Sequence, residues 1–471
     1  MKMDTLHSNS LVGGKEKWLR IITSIGALYL EGCFWGAIQP LVSEWDWAMS
    51  NVTRDGVEPQ AAGESETETR ASFAVAAIFL VTGLMEVIIS PIAGAVADRF
   101  GFDAVIAFSL SCGAVQSVLF GCFETSAVVI FIYRILQGAS NASSQAIALA
   151  RIRDMYSLGS RECTTFFALG ISKTATGYFS SLLVGELYHS MKNRVFFLFT
   201  PFSLLFIIGV MLTFRTVNFH SKDTGLQSER SEYTSSSALQ WRIFLDVQLL
   251  VLVICCFLPT LAYAAFEPSV AVWMKSAYGA GPATVGIILG LCGLVSLVAT
   301  IASAQILHIM QDRSWIFFLV TLLMIGPPLI LMNFSPDIIT ASIALCAFFI
   351  ALCAVRFAPL EMCSTIADSR YPQSCGQVFS IVNASWGASF VVGPLLAPYF
   401  FGSTCGVCIV GAACMTTAPL AIFLRHLDSK QGPNIWDCCK DHRPDYKMVA
   451  TNDVVPFTYD TSKHTLQPMS K

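Results

Sequence analysis

About a dozen stretches, each close to the roughly 20 apolar residues that a spanning helix needs, follow one another along the chain, and they fix its solvent before any motif is considered. They lie near 21–40, 72–96, 104–123, 127–150, 164–188, 195–214, 249–273, 284–310, 315–334, 339–367, 376–401 and 405–424. The chain of 471 residues is 54% hydrophobic and 13% charged, against roughly 25% charged in soluble domains, and its mean hydropathy is +0.61. Lipid offers no partner to a bare N–H or C=O, so spans of this length must be helices that satisfy their own backbones. The expected class is an all-α membrane protein. A net charge of −3 decides nothing, but no basic tract points to nucleic acid. No metal-ligand spacing, nucleophile elbow or phosphate loop occurs in a polar segment, so neither an enzyme, a cofactor nor a metal site is expected.

Two long polar segments interrupt the series, Ser43 to Arg70 after the first span and Arg215 to Arg242 after the sixth. They divide the chain into an N-terminal segment 1–20, a six-helix half 21–214 with a luminal loop 43–71, a central loop 215–242, a second six-helix half 243–427 and a tail 428–471. Lys and Arg accumulate in cytoplasmic loops. One set of loops carries Lys15, Lys17, Arg20, Arg99, Arg151, Arg153, Arg161, Arg313, Arg370, Arg425 and Lys430, which places both termini in the cytoplasm. The opposite set holds only Arg54, Arg70, Lys192, Arg194 and Lys275, beside the acidic Glu44, Asp46, Asp55, Glu58, Glu64, Glu66 and Glu68. Asn51-Val52-Thr53 in that acidic loop is a glycosylation acceptor on the side where glycosylation occurs.

The first apolar stretch, from Ile21, runs too long for a cleavable signal and no small-residue cleavage site follows it. Of the 16 cysteines, most sit inside apolar stretches as small hydrophobes rather than as a disulfide framework. Cys438 and Cys439, just past the last span, read equally as palmitoylation sites or as exposed thiols. Tyr446-Lys447-Met448-Val449 fits a tyrosine-based sorting signal read by vesicle-sorting adaptors, or a plain disordered tail.

The halves repeat each other. Asp98-Arg99 follows the second span and Asp312-Arg313 the eighth; Asp154 follows the fourth and Asp368 the tenth, at the same interval. Parallel repeats of this kind resemble the major facilitator carriers, which implies twelve transmembrane helices in two six-helix halves and a substrate site at the bilayer midplane between them.

Ionisable residues inside the spans then become the candidates for function. Each costs about 2.5 to 3.5 kcal/mol at a helix centre and so needs a partner or water. They are Glu31, Glu86, Arg134, Lys173, Glu267, Arg356 and Glu361. Unpaired, they would together cost roughly 20 kcal/mol, more than the roughly 5 to 15 kcal/mol by which a folded domain is stable. They must therefore face a cavity or one another. Arg134 and Lys173 lie nearer helix ends, where a long cation snorkels or clamps neighbouring helices, and Lys173 is read in that way. Glu31 and Glu267 sit at comparable depth in the first helix of each half, beside small residues or Pro268, which loosens the helix ladder. Dehydration penalises a bare carboxylate, so such a group holds a proton or an organic cation in turn, the physical basis of exchange. Phe34, Trp35, Phe266, Trp273 and Trp386 nearby suit a protonated amine through cation–π contact, or are simply packing.

Glu267-Pro268-Ser269-Val270-Ala271-Val272-Trp273-Met274, the run Arg134-Ile135-Leu136-Gln137-Gly138 with small residues to Ser144, and Gly393-Pro394 resemble the vesicular amine transporters. These are major facilitator carriers that load monoamines or acetylcholine into acidic vesicles in exchange for protons. The likeness runs through nearly all the spans. Gly94-Ala95-Val96-Ala97-Asp98-Arg99-Phe100-Gly101 looks like the loop motif of major facilitators generally, and implies a gate at Gly94, Asp98, Arg99 and Gly101 between the second and third helices. The resemblance implies amine recognition and coupling at Glu31 and Glu267, with Arg134 beside them.

The departures are as informative. Arg356 stands where the family has a proton-coupling aspartate, and Thr82 and Asn383 replace a lysine and aspartate that pair between helices 2 and 11. Glu86 and Glu361 are acids the family pattern lacks, Ser180-Ser181-Leu182-Leu183-Val184 replaces a Gly-Pro-rich antiporter motif, and a luminal cysteine pair is absent.

The expectation is a secondary transporter of a small cationic amine with protons as coupling ion, in a vesicle membrane. Glu31, Glu267, Arg134, Trp386 and Phe390 would bind substrate, and Glu86, Arg356 and Glu361 would form the charge network. Two alternatives stay open: a facilitative or differently coupled carrier of another small organic solute, anionic or neutral, with Arg356 as the anion contact, and a carrier-like sensor that no longer transports.

Overall fold

The computed structural model describes residues 3–38, 64–123, 127–156, 161–224, 241–310, 313–371, 374–402 and 404–430. The sequon at Asn51, most of the luminal loop, Asp312, the middle of the central loop and the tail with Cys438, Cys439 and Tyr446 lie outside these residues. Among the described residues there is helix and no strand. In the first half, α1 is Met3–Ile38, α2 Glu64–Phe100, α3 Phe102–Cys122 and α4 Ala127–Met155; α5 has two segments, Arg161–Ile171 and Lys173–Met191, and a 3₁₀ turn at Lys192–Phe199 leads to α6, Thr200–Thr224. In the second half, α7 is Val247–Phe266 continued by Val270–Tyr278, α8 Pro282–Ile309, α9 Ser314–Asn333, α10 Ile338–Arg370, α11 Cys375–Gly402, and α12 Thr404–Thr416 continued by Ala418–Lys430. The expected all-α fold of twelve helices in two halves is what forms.

Among the described residues, ten of these helices are long and apolar enough to span a membrane by composition. The two that are not, α4 and α5, are informative. α4 carries Arg134, Gln137, Ser140, Asn141, Ser143, Ser144 and Gln145, all buried, so its polar face is turned into the protein and escapes lipid. α5 breaks at Ser172, whose hydroxyl donates to the Leu169 carbonyl at 2.7 Å and draws the helix off its ladder. Large apolar side chains such as Phe202, Leu205, Ile208, Ile287, Val298 and Ile343 are exposed on the outer faces, the surface a bilayer covers. Helix ends are fixed locally: Asp246 caps α7 by accepting the N–H groups of Gln248 at 2.9 Å and Leu249 at 3.4 Å, Pro282 opens α8, and α12 breaks at Thr417 ahead of Pro419.

The halves meet along two seams, α2 against α11 and α5 against α8. Within the first half, α1 and α5 come close enough to touch backbones. A Cβ on Gly36 would overlap the Gly177 carbonyl, and one on Gly32 the Lys173 carbonyl. Across the halves, a Cβ on Gly83 would stand 2.6 Å from the Gly387 carbonyl. Small residues permit this approach, and close packing is what holds helices together where lipid supplies no hydrophobic drive.

One end of the molecule is sealed by charge. Asp98, at the end of α2, accepts the N–H groups of Gly376 at 2.8 Å and Gln377 at 3.0 Å and so caps α11 of the other half. Asp98, expected at a gate between the second and third helices, thus joins α2 to α11 of the other half. Beside it Arg153 of α4 pairs with Asp368 of α10. Arg99 stacks instead on Phe100, its guanidinium 5.2 Å from the ring centre. We expect Asp98→Ala to loosen this seal: Cys375, now 5% exposed at the start of α11, should react with a maleimide at least about tenfold faster in a peptide-resolved labelling assay. An unchanged rate would show that the cap does not hold the end closed.

Candidate functional site

α1, α2, α4, α5, α7, α10 and α11 converge on a single cavity. Glu31, Glu86, Lys173 and Arg356 line it, with Asn141, Gln145, Thr174, Tyr178, Tyr263 and the aromatic rings of Trp35, Trp386 and Phe390. It is placed where parallel-repeat carriers hold their substrate, between the halves.

The first-half wall is acidic. Glu31 is 2% exposed, and neither carboxylate oxygen meets a hydrogen-bond donor at bonding geometry, although Ser140 is close. Glu86 is tied on one side: its Oε1 accepts Asn141 Nδ2 at 3.0 Å and Asn383 Nδ2 at 3.2 Å, while Oε2 is left without a donor. Asn383 also donates to Ser90 Oγ at 2.8 Å. The neutral residue at 383 thus keeps α2 and α11 linked, with Glu86 taking the place that the lysine–aspartate pair would fill. Lys173 donates to Asn141 Oδ1 at 2.7 Å and to Gln145, and it feels the charges of Glu31 and Glu86. It does clamp α5 to α4 as expected, but it faces the cavity and does not snorkel. The reason is the break at Ser172, which puts Lys173 at the start of a new helical segment in mid-membrane.

The second-half wall is basic. Arg356 of α10 crosses to the other half and donates from Nη1 to Thr174 Oγ1 at 3.1 Å. Its guanidinium lies 5.2 Å from the Trp386 ring centre and 5.5 Å from that of Tyr263. Nε finds no acceptor, and among the described residues no ion pair joins Arg356 to a carboxylate.

Glu267, Arg134 and Glu361 do not line the cavity. α7 ends at Phe266, Glu267 falls in the turn before Val270, and Tyr263, one helical turn earlier, takes the wall position. Glu267 and Arg134 instead feel each other's charge across the halves, behind the wall. Arg134 donates to Gln137 Oε1 at 2.8 Å and lies over Phe79 at 4.2 Å and Trp35 at 5.9 Å. Glu361 is displaced along α10 toward the sealed end, near Cys163. The two carboxylates sharing the chamber are therefore Glu31 and Glu86, where the sequence paired Glu31 with Glu267. Of the aromatics named from sequence, Trp35, Trp386 and Phe390 reach the cavity; Phe34 packs on Phe199 and Trp273 on Tyr278. Asn141, Gln145, Thr174, Tyr178 and Tyr263 were not foreseen. Tyr178 donates its hydroxyl to that of Tyr263 at 3.2 Å, joining α5 to α7.

Residues 21–368 match the model of the Major Facilitator Superfamily. The chain is similar to the vesicular acetylcholine transporter of Caenorhabditis elegans, 22% identical over 366 residues that cover 75% of this chain and 66% of that protein. It is also similar to that of Torpedo torpedo, 24% identical over 443 residues, 88% of this chain and 82% of that protein, and to that of Homo sapiens, 23% identical over 372 residues, 75% and 66%. The chain spans about two thirds of the length of several such relatives. Among solved structures, the human organic anion transporter MFSD10 (TETRAN) superposes with a TM-score of 0.65 at 15% identity over 87% of this chain and 99% of that one, a likeness of fold.

Proposed function

Since the chain belongs to the major facilitator superfamily, and is thus a multi-pass secondary transporter rather than an enzyme, we propose that it carries a small amine cation by alternating access in exchange for protons. The observation that supports this best is Glu31, a dehydrated carboxylate on the cavity wall with no donor at bonding geometry. A buried acid of that kind calls for a positive partner, a bound ammonium or a proton, and not both at once. Glu86 is the second acid of the pair, and Trp35, Phe390 and Trp386 supply ring faces for an organic cation. Lys173 is the one base beside the two acids on the first-half wall, which favours a further positive charge there.

In this reading the end sealed by Asp98 and the Arg153–Asp368 pair is the cytoplasmic one, and both termini lie on that side. The relatives' vesicular setting supports placing the protein in a vesicle membrane, with its tail read by sorting adaptors.

Purified protein in liposomes with an acidic interior, given radiolabelled monoamines, acetylcholine or polyamines outside, should accumulate at least one of them. Collapse of the pH gradient should release it. Gradient-independent equilibration would remove the proton exchange and leave a facilitative carrier; no flux of any cation would remove the amine.

A further inference from the structure

The two walls of the cavity carry opposite charge. On the first-half wall two acids, Glu31 and Glu86, face one base, Lys173; on the second-half wall Arg356 faces the same space without an acid, because Glu267 and Glu361 lie off the lining. A plain amine answers only the first wall. It would leave the half-buried Arg356 against two rings with one hydroxyl acceptor and its Nε without any, although a guanidinium has five donors. A charge so placed is costly unless something meets it.

We propose that the substrate is a zwitterion: its ammonium sits at Glu31 and a carboxylate at its other end is bound by Arg356. The proposal rests on the amine reading of this cavity and narrows it to a class. The guanidinium presents a planar edge of N–H groups, the shape that receives a carboxylate through two parallel bonds. Trp386 and Tyr263 lie beside it without accepting a hydrogen bond from it, so its donors other than the one to Thr174 are left for a ligand to meet. The donor set also makes Arg356 a bridge between halves: its bond to Thr174 of α5 spans the substrate chamber. A carboxylate competing with that hydroxyl would tie substrate arrival to the contact between the halves.

Matched pairs of solutes differing only in the carboxylate test this in proteoliposomes with an imposed pH gradient: tyrosine against tyramine and histidine against histamine, with 4-aminobutyrate as a longer zwitterion. Binding is followed in parallel as thermal stabilisation of the detergent-solubilised protein. In the wild type at least one zwitterion should exceed its decarboxylated partner by about tenfold or more in uptake, the discrimination expected of a site with a buried charged group to satisfy. Arg356→Gln should reduce that ratio to within about twofold, whereas Glu31→Gln should depress both members of the pair. If tyramine or histamine outruns its carboxylated partner, or if Arg356→Gln lowers both equally, Arg356 does not read a carboxylate and the proposal is overturned while the amine carrier stands. If neither member of any pair is bound or moved, but other amines are, the zwitterion falls alone; if no amine of any kind is bound or moved, the amine reading falls with it.

Discussion

Glu31→Gln is expected to cut gradient-driven amine uptake by at least about 100-fold while the protein remains folded. The side chain is 2% exposed, in a cavity it shares with Glu86 and Lys173. Glutamine keeps its size and removes only its charge. A charge-assisted hydrogen bond to the ammonium contributes about 1.5 to 3 kcal/mol, and loss of the acid also leaves Lys173 less compensated and repelling the incoming cation. Because about 1.4 kcal/mol is a factor of ten, these effects together reach two orders of magnitude. Melting temperature measured alongside should fall only modestly, since Glu31 accepts no hydrogen bond at bonding geometry that the amide would forfeit and Glu86 still faces Lys173. Full uptake by this variant would mean that the cation is held elsewhere.

Gly36→Val should cost about 3 kcal/mol of stability, at the upper end of overpacking, and should show itself as a large fall in yield of monodisperse protein and in melting temperature. The obstacle to a side chain at 36 is the Gly177 carbonyl, a backbone atom of α5 that cannot turn aside as a side chain would. To admit the isopropyl group, whose Cβ alone already overlaps that carbonyl, α1 and α5 must separate. That would also carry Glu31 and Lys173, which flank the same seam, out of register with each other. A variant that melts like the wild type would show that α1 and α5 are not in backbone contact in the membrane. Gly286 provides the comparison, since a Cβ there meets nothing within 4 Å; Gly286→Ala should be tolerated.

Depth in the membrane was legible in the sequence, and direction around each helix was not. Hydropathy and charge located the four ionisable residues that line the cavity, Glu31, Glu86, Lys173 and Arg356, and the repeat of Asp98 and Asp312 pointed to two halves and a central site. Which charges face the chamber depends on where helices break. Glu267 is in an apolar setting at the expected depth, but the turn before Val270 leaves its place on the wall to Tyr263. Lys173 seemed to belong to a helix end and does, yet that end is created inside the membrane by Ser172, a residue with no strong breaking signal of its own. Asn141 was visible only as a polar residue and Asn383 only as the replacement of a charged one; their roles depend on Glu86, one turn from Thr82, standing between them. Residues whose roles are set by a partner on another helix are the ones a single chain of letters cannot assign.

The approach of Gly83 to Gly387 has a mechanical consequence for the carrier. It lies one turn from Glu86 and next to Trp386, level with the chamber, and it brings the backbones of two helices of opposite halves together, with Glu86 and Phe390 packed at its margins. Such a bearing works as a fulcrum. In the proposed alternating-access cycle, release of the Asp98 cap would spread one end while groups beside the fulcrum barely travel. A bound solute would then keep its contacts through the stroke, and the work of opening would fall on that cap and on the Arg153–Asp368 pair beside it.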